Sequence, residues 1–443
     1  MTGHRGNNQK VLAPQKRGFV FPRSAGHLHS EGTIAMETDN RKSIIILSFT
    51  LVVVMLGFGM VIPIFPFYIE RLGVGGSELG LLVATAAMLE FLCAPIWGSI
   101  SDRVGRKPVL MVGLVGYALS LVLMGLSTQL WMLFASRALS GLLSSATYPT
   151  ALAYIGDTTC EEDRGGGIGW LGAAMGLGVI AGPGVGGLLG GESLSLPFFV
   201  GAGLSLAALF LVTFFLPESL GTSARKAAEG KLSAINFRGM WQALFRPIGV
   251  LLFVMFLVSF GLANFEAVFG LYAAQKFGYG PERVGAILMV IGIVTTVGKG
   301  ALTGPLTKRW GEPIVIKASL LAGAMGFVVL LLANTYLTVL LATGVFILSK
   351  TLLRPAVLSL TSKQATVGQG VAMGLSNSFM SLGRIVGPIW AGVVFDVNFN
   401  YPYVSGAGIL FIGFLIALVR ISEERKEAVR ARVQPTGDKP SHQ

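Results

Sequence analysis

The sequence predicts an all-α integral membrane protein with twelve transmembrane helices arranged as two six-helix pseudo-repeats. Three observations carry that prediction. Hydrophobic residues make up 53% of the 443 positions and charged residues only 13%, about half the charge of a soluble domain. Apolar runs near the ~20-residue spanning length follow one another from residue 43 to residue 421. Landmarks of the first half also recur in the second. The frame Gly98, Asp102, Arg103, Gly105 is answered by Gly304, Lys308, Arg309, Gly311, and Gly182-Pro183 is answered by Gly387-Pro388.

The predicted spans of the first half are 44–69, 78–100, 108–127, 130–153, 166–190 and 196–216, and those of the second are 248–274, 283–304, 314–333, 335–357, 370–394 and 402–421. An even number of spans per half gives parallel repeats about an axis along the membrane normal, with a substrate site between them near the midplane. The expected units are a disordered tail at 1–42, bundles at 43–216 and 248–421, a linker at 217–247 and a tail at 422–443. Met36 stands as a candidate natural start. The linker from Arg225 to Trp241 reads equally as an amphipathic surface helix or as an irregular segment.

Lys and Arg concentrate in alternate loops, at Arg103, Arg106 and Lys107, Arg164, the linker, Lys308, Arg309 and Lys363, while most opposite loops carry none. That asymmetry places both termini and the linker of a multi-pass membrane protein in the cytoplasm. It also accounts for the formal charge of +12 without nucleic acid. All four histidines lie in the terminal tails and only two cysteines exist. No metal, haem or disulfide framework is expected, and no cofactor.

A charge inside a spanning helix costs roughly 2.5–3.5 kcal/mol on insertion scales. The chain keeps Glu90, Arg137, Glu266, Lys350, Arg354 and Arg384 there. Glu266 is the first candidate for proton coupling and Glu90 the second. Ser259, Ala263, Glu266, Gly270 and Ala273 share one helical face, with Phe265, Phe269 and Tyr272 beside it. A carboxyl so placed can hold a cationic or amphipathic molecule when charged and release it when protonated, or form a structural ion pair. Asn377, Ser381 and Arg384 share a face of span 11, and Lys350 and Arg354 stand one turn apart in span 10. These cations can pair with the acids, recognise an anion or bind helix to helix. The substrate-lining candidates are Arg137, Asn264, Phe265, Glu266, Phe269, Tyr272, Arg354, Asn377, Ser381 and Arg384.

Gly178, Gly182 and Gly186 recur every fourth residue with Pro183 among them, and Gly387-Pro388 repeats the theme, which marks close helix packing. No strand precedes the glycine run and no P-loop Lys follows it, so nucleotide binding is not expected. No nucleophile–base set or metal cluster suggests an enzyme.

Together these residues resemble the major facilitator superfamily over residues 43–421. Gly98 to Lys107 is similar to its loop 2–3 signature, and Arg137 to Gly141 to its span 4 arginine motif. Gly178 to Gly187 is similar to its antiporter motif. Gly57 to Pro66, Ser259 to Glu266 and Gly387 to Asp396 resemble quinolone and multidrug exporters of Gram-positive bacteria, within the twelve-span drug:proton antiporters. The resemblance implies that Glu266 and Arg137 line the cavity. It also implies a gate built from Gly98, Asp102, Arg103, Gly105, Arg106, Lys107, Gly304, Arg309 and Gly311. The chain departs from the pattern in lacking an acid just before Arg354-Pro355, and in carrying Glu90 and Arg384 where neutral residues are usual. The expectation is a monomeric, proton-coupled exporter of amphipathic drugs working by alternating access in the bilayer. A dedicated metabolite or organic-anion exporter is the alternative, and a non-transporting receptor a distant one.

Overall fold

The computed structural model describes residues 30–159, 161–221, 248–364 and 369–433, and the side chains of 42–159, 166–221, 248–364 and 369–421. The expected tails, Met36 as a start and the linker helix fall outside the described residues or outside the described side chains. The packing below is that of Lys42 onward.

The described chain is helical, with no strand among the described residues. Seven helices precede residue 221: α1 (Ser30–Arg71), α2 (Gly76–Val104), α3 (Arg106–Gly125), α4 (Leu130–Leu143), α5 (Thr147–Thr158), α6 (Glu161–Glu192) and α7 (Leu196–Phe215). Seven follow residue 248: α8 (Gly249–Phe277), α9 (Pro281–Val297), α10 (Thr303–Trp310), α11 (Glu312–Leu332), α12 (Tyr336–Gln364), α13 (Gln369–Val397) and α14 (Tyr401–Val433). Among the described residues, eleven candidate spans are long and apolar enough to cross a membrane, the first beginning at Lys42 and one joining α9 to α10. The predicted fourth pass is split into α4 and α5 by a 3₁₀ turn at Ser144–Ala146. Pro149 supplies the cause. It has no N–H for the carbonyl of Ser145, and its ring crowds that carbonyl, so the preceding turn tightens. The eighth pass loosens instead, through a π turn at Gly298–Leu302 that ends three residues before Pro305 of α10.

The expected charged hinge at 98–107 is shorter than the residue pattern suggests. Helix α2 runs on through Gly98, Asp102 and Arg103 to Val104, and α3 starts at Arg106. Gly105 alone turns the chain, at φ 122°, a conformation that L side chains rarely adopt. The second half repeats the device: α10 ends at Trp310, Gly311 turns at φ 79°, and α11 starts at Glu312. The repeat extends to the ion pairs behind each turn, with the signs reversed. Arg106 reaches Asp157 at the end of α5 at 2.8 Å, and Glu312 pairs with Lys363 at the end of α12.

The helices before and after residues 222–247 meet along α2–α13 and α6–α9, with α2 also reaching α8. Contact is tight at the end carrying Gly76, Gly187, Pro281 and Gly392. A Cβ on Gly187 would sit 2.6 Å from the carbonyl oxygen of Pro281, and one on Gly76 would sit 3.0 Å from that of Gly392. Toward the Asp102 end the glycines are not at such crossings, and Phe91 of α2 packs in an apolar cluster with Ile248, Leu252, Leu375 and Phe379. Gly98, Gly169, Gly172, Gly300, Gly304 and Gly374 would meet nothing within 4 Å. The two sets are therefore closed against each other at the Gly76–Gly392 end.

Candidate functional site

Midway along α2 and α13, Glu90 and Arg384 bridge the two helix sets. Arg384 Nη2 donates to Glu90 Oε2 at 3.0 Å and Nη1 to Oε1 at 3.3 Å, a two-pronged carboxylate–guanidinium pair. Both side chains are 45% exposed although their helices are apolar, so they face the space between the sets. Glu266 of α8 lies in the electrostatic field of Arg384 and of Lys350 on α12. Lys350 in turn has Glu266 and Arg354 as its charged neighbours. Arg354 is exposed and feels Tyr148, Arg384 and Lys299. The structure thus gathers Glu90, Glu266, Lys350, Arg354 and Arg384 into one electrostatic group drawn from α2, α8, α12 and α13. Asn377 and Ser381 lie two turns and one turn before Arg384 on α13, exposed and half-buried respectively.

Arg137 stands apart on α4. Its guanidinium carbon is 4.3 Å from the ring centre of Phe65, its electrostatic neighbour is Tyr117, and its Nε has no hydrogen-bond partner.

The aromatic residues beside Glu266 are placed differently from the expectation that they line the space. Phe265, Phe269 and Tyr272 are fully buried. Phe265 packs against Phe269 at 4.7 Å and Phe346 at 5.2 Å, and Tyr272 against Tyr403 at 4.4 Å. The Tyr272 hydroxyl accepts a hydrogen bond from Lys276 and donates to the Leu330 carbonyl. Asn264 is also buried, its Nδ2 donating to the Pro402 carbonyl at 2.8 Å. These four side chains tie α8 to α11, α12 and α14. The reason is that α8 is apolar all round, so its aromatic residues find partners inside the helix set.

Of the residues expected to gate, Asp102 and Arg106 are bonded within the first helix set. Arg106, 6% exposed, bonds Asp102 at 2.6 Å, Asp157 at 2.8 Å and Ser101 Oγ at 2.6 Å. The backbone N–H groups of Arg106 and Lys107 donate to the Glu218 carboxylate at 2.8 and 3.2 Å. An acid at the exposed start of α3 suits the helix dipole. Arg309 is exposed. The packing glycines sit where a bulkier residue would not fit. A Cβ on Gly178 would be 2.6 Å from the Val52 carbonyl oxygen, one on Gly182 2.7 Å from that of Leu56, and one on Gly186 2.5 Å from the Met60 Cα. Gly387 approaches Phe260 in the same way, and the Pro388 carbonyl lies against Gly80.

At the closed end lies a residue the sequence reasoning did not single out. Asp396, at the end of α13, accepts hydrogen bonds from the backbone N–H groups of Gly76 and Ser77 and from the Ser77 hydroxyl. An acid that ends one pass and has no cation near it in sequence was the available signal. Lys350, a buried cation that is not among the substrate-lining candidates, joins the same group beside Glu266.

Comparison with known proteins places this arrangement. The model of the Major Facilitator Superfamily matches residues 47–365 and 251–441. The chain belongs to the Major Facilitator Superfamily. It is a membrane transporter of that superfamily. Multidrug resistance protein 2 of Bacillus subtilis (strain 168) is 32% identical over 394 residues, 89% of this chain and 98% of the relative. Quinolone resistance protein NorA of Staphylococcus aureus (strain COL) is 29% identical over 388 residues, 87% of this chain and 98% of the relative. Among solved structures of the superfamily's shape, the nucleoside transporter NupG matches with a TM-score of 0.72 at 16% identity, over 85% of this chain and 98% of that one. The human organic anion transporter MFSD10 matches with a TM-score of 0.62 at 22% identity, over 85% and 99%.

Proposed function

We propose that the chain exports amphipathic drug-like molecules across a bacterial inner membrane in exchange for protons. In this reading the helices of residues 43–216 and 248–421 rock against each other. The Asp102 end faces the cytoplasm, as the distribution of Lys and Arg suggests. The structure described above then corresponds to a state closed at the outer end. The multidrug and quinolone resistance relatives support the cargo class.

One observation carries the mechanism: Glu266 sits in a group of charges at the space between the helix sets. When ionised, Glu266 offers a carboxylate to the cationic part of a cargo molecule; when protonated, it does not. Proton and cargo therefore compete for one side chain, the requirement for exchange. Lys350 and Arg384 on the facing helices, with Arg354 and Glu90 behind them, set how readily that proton binds. The drive is modest: one charge crossing ~150 mV supplies about 3.5 kcal/mol, a gradient of roughly a few hundredfold.

The test is dye-induced proton release from proteoliposomes containing the purified protein, together with the Glu266→Gln variant. The variant should still bind cargo, with an affinity that no longer falls as the pH is lowered, and should lose uphill transport. Proton-coupled uphill transport retained by Glu266→Gln overturns the assignment. Export of a purely anionic metabolite is the second reading, favoured by Lys350, Arg354 and Arg384. It predicts cargo affinity that rises as the pH is lowered.

A further inference from the structure

The charges between the helix sets do not cancel. Glu90 is taken by Arg384 through both carboxylate oxygens. Glu266 is then the one acid in the group left to face Lys350, which also has Arg354 as a charged neighbour. Lys350 is 7% exposed, yet its Nζ has no hydrogen-bond partner. Its nearest aromatic support is the ring of Phe346, 5.5 Å from the nitrogen, and a ring face does not replace an acceptor. A buried lysine nitrogen lacking an acceptor leaves its N–H donors unsatisfied, which is unfavourable in a fold. In a transporter, such a group points to an acceptor delivered by the cargo.

We propose that Lys350 is the anchor for a carboxylate of the cargo, and that the preferred cargo is an amphipathic zwitterion. Its anionic group bonds Lys350 Nζ and its cationic group faces Glu266. The charge balance selects among the three classes of cargo. A plain cation meets Glu266 but is repelled by Lys350 and Arg354. A plain anion binds best when Glu266 is protonated, so proton and cargo would travel together and exchange would fail. A zwitterion satisfies Lys350 while its cationic end still competes with the proton. The choice of a zwitterion over an anion rests on the proton exchange proposed above; the carboxylate anchor does not.

The probes are rhodamine B, which carries a free benzoate beside its cationic xanthene, and its ethyl ester, a cation of nearly the same shape. Dye anisotropy with the purified full-length protein gives the affinity ratio of zwitterion to ester. Wild type should favour the zwitterion by about tenfold or more, the worth of a charge-assisted hydrogen bond. Lys350→Met should bring the ratio down about tenfold, and Lys350→Arg should restore most of it. Rhodamine B, and not its ester, should also slow acylation of Lys350 in wild type by an amine-reactive reagent, read by mass spectrometry, a measurement that needs no variant to fold. A wild-type ratio near one, an equal loss of both dyes in Lys350→Met, or equal protection by both dyes overturns the anchor. If the ratio and the protection hold but an imposed pH gradient moves neither dye in proteoliposomes, the exchange reading fails and the anchor stands.

Discussion

Asp396 caps the helix that begins at Gly76, 320 residues away in the chain. The Gly76 N–H donates to Oδ1 at 2.7 Å and the Ser77 N–H to Oδ2 at 2.8 Å, with the Ser77 hydroxyl on the same carboxylate. The first N–H groups of a helix have no partner within it, and a carboxylate there meets both the free donors and the positive end of the dipole. At this end the two helices otherwise touch through glycine, so the bond acts as a latch on the closed end. Asp396→Asn should weaken that closure. Pulsed electron–electron distance measurements between spin labels at the outer ends of α2 and α13 should show a larger open population at this end. An unchanged distance distribution would remove the latch.

Closure also depends on the absence of side chains at the α6–α9 crossing. A Cβ on Gly187 would lie 2.6 Å from the Pro281 oxygen, and one on Gly285 would lie 2.8 Å from the Gly187 Cα. Contacts under 3.0 Å with backbone cannot be relieved by turning a rotamer. Gly187→Val should therefore yield a folded protein that does not close this end. Alkylation of a cysteine placed in the space should become faster from that side and uphill transport should cease. Normal transport by this variant would show that the helices have slack.

The Glu90–Arg384 pair offers a contrast between stability and function. Ion pairs this exposed are worth about 0–1 kcal/mol. Glu90→Gln should shift the melting temperature in detergent by only a few degrees or less. It leaves Arg384 facing Glu266 without its partner, so cargo affinity and its pH dependence should both change. Comparing Glu90→Gln, Arg384→Gln and the double variant isolates the coupling. A large loss of thermal stability in the single variants would mark the pair as structural.

Arg106 sits at the other extreme. Its buried guanidinium bonds Asp102, Asp157 and Ser101 at once. Removing one member of a buried charged network typically costs about 3–5 kcal/mol. Arg106→Ala should lower thermal stability markedly, and Arg106→Lys should recover only part of it, because an ammonium lacks the planar fork. Thermal unfolding followed by tryptophan fluorescence is the measurement. A melting temperature equal to wild type for Arg106→Ala would mean that the network carries little weight.

The number of passes, the repeat and the identity of the ionisable residues inside the membrane were legible in the residues themselves. Apolar run length fixes how many times a chain can cross, since each pass must satisfy its own backbone. The Gly105 and Gly311 turns were marked by the repeated frame, although the pattern extended the hinge back to Gly98, which the structure places within α2. Helical spacing also grouped Glu266 with its small neighbours. What spacing could not supply was the partner of each charge. Periodicity relates residues on one helix; it carries no information about which other helix stands opposite. The tertiary structure alone decided that Arg384 answers Glu90, that Phe265 and Tyr272 turn into the α8 core, and that Lys350 is left without an acceptor. Those outcomes depend on contacts between residues hundreds of positions apart, set by how whole helices pack.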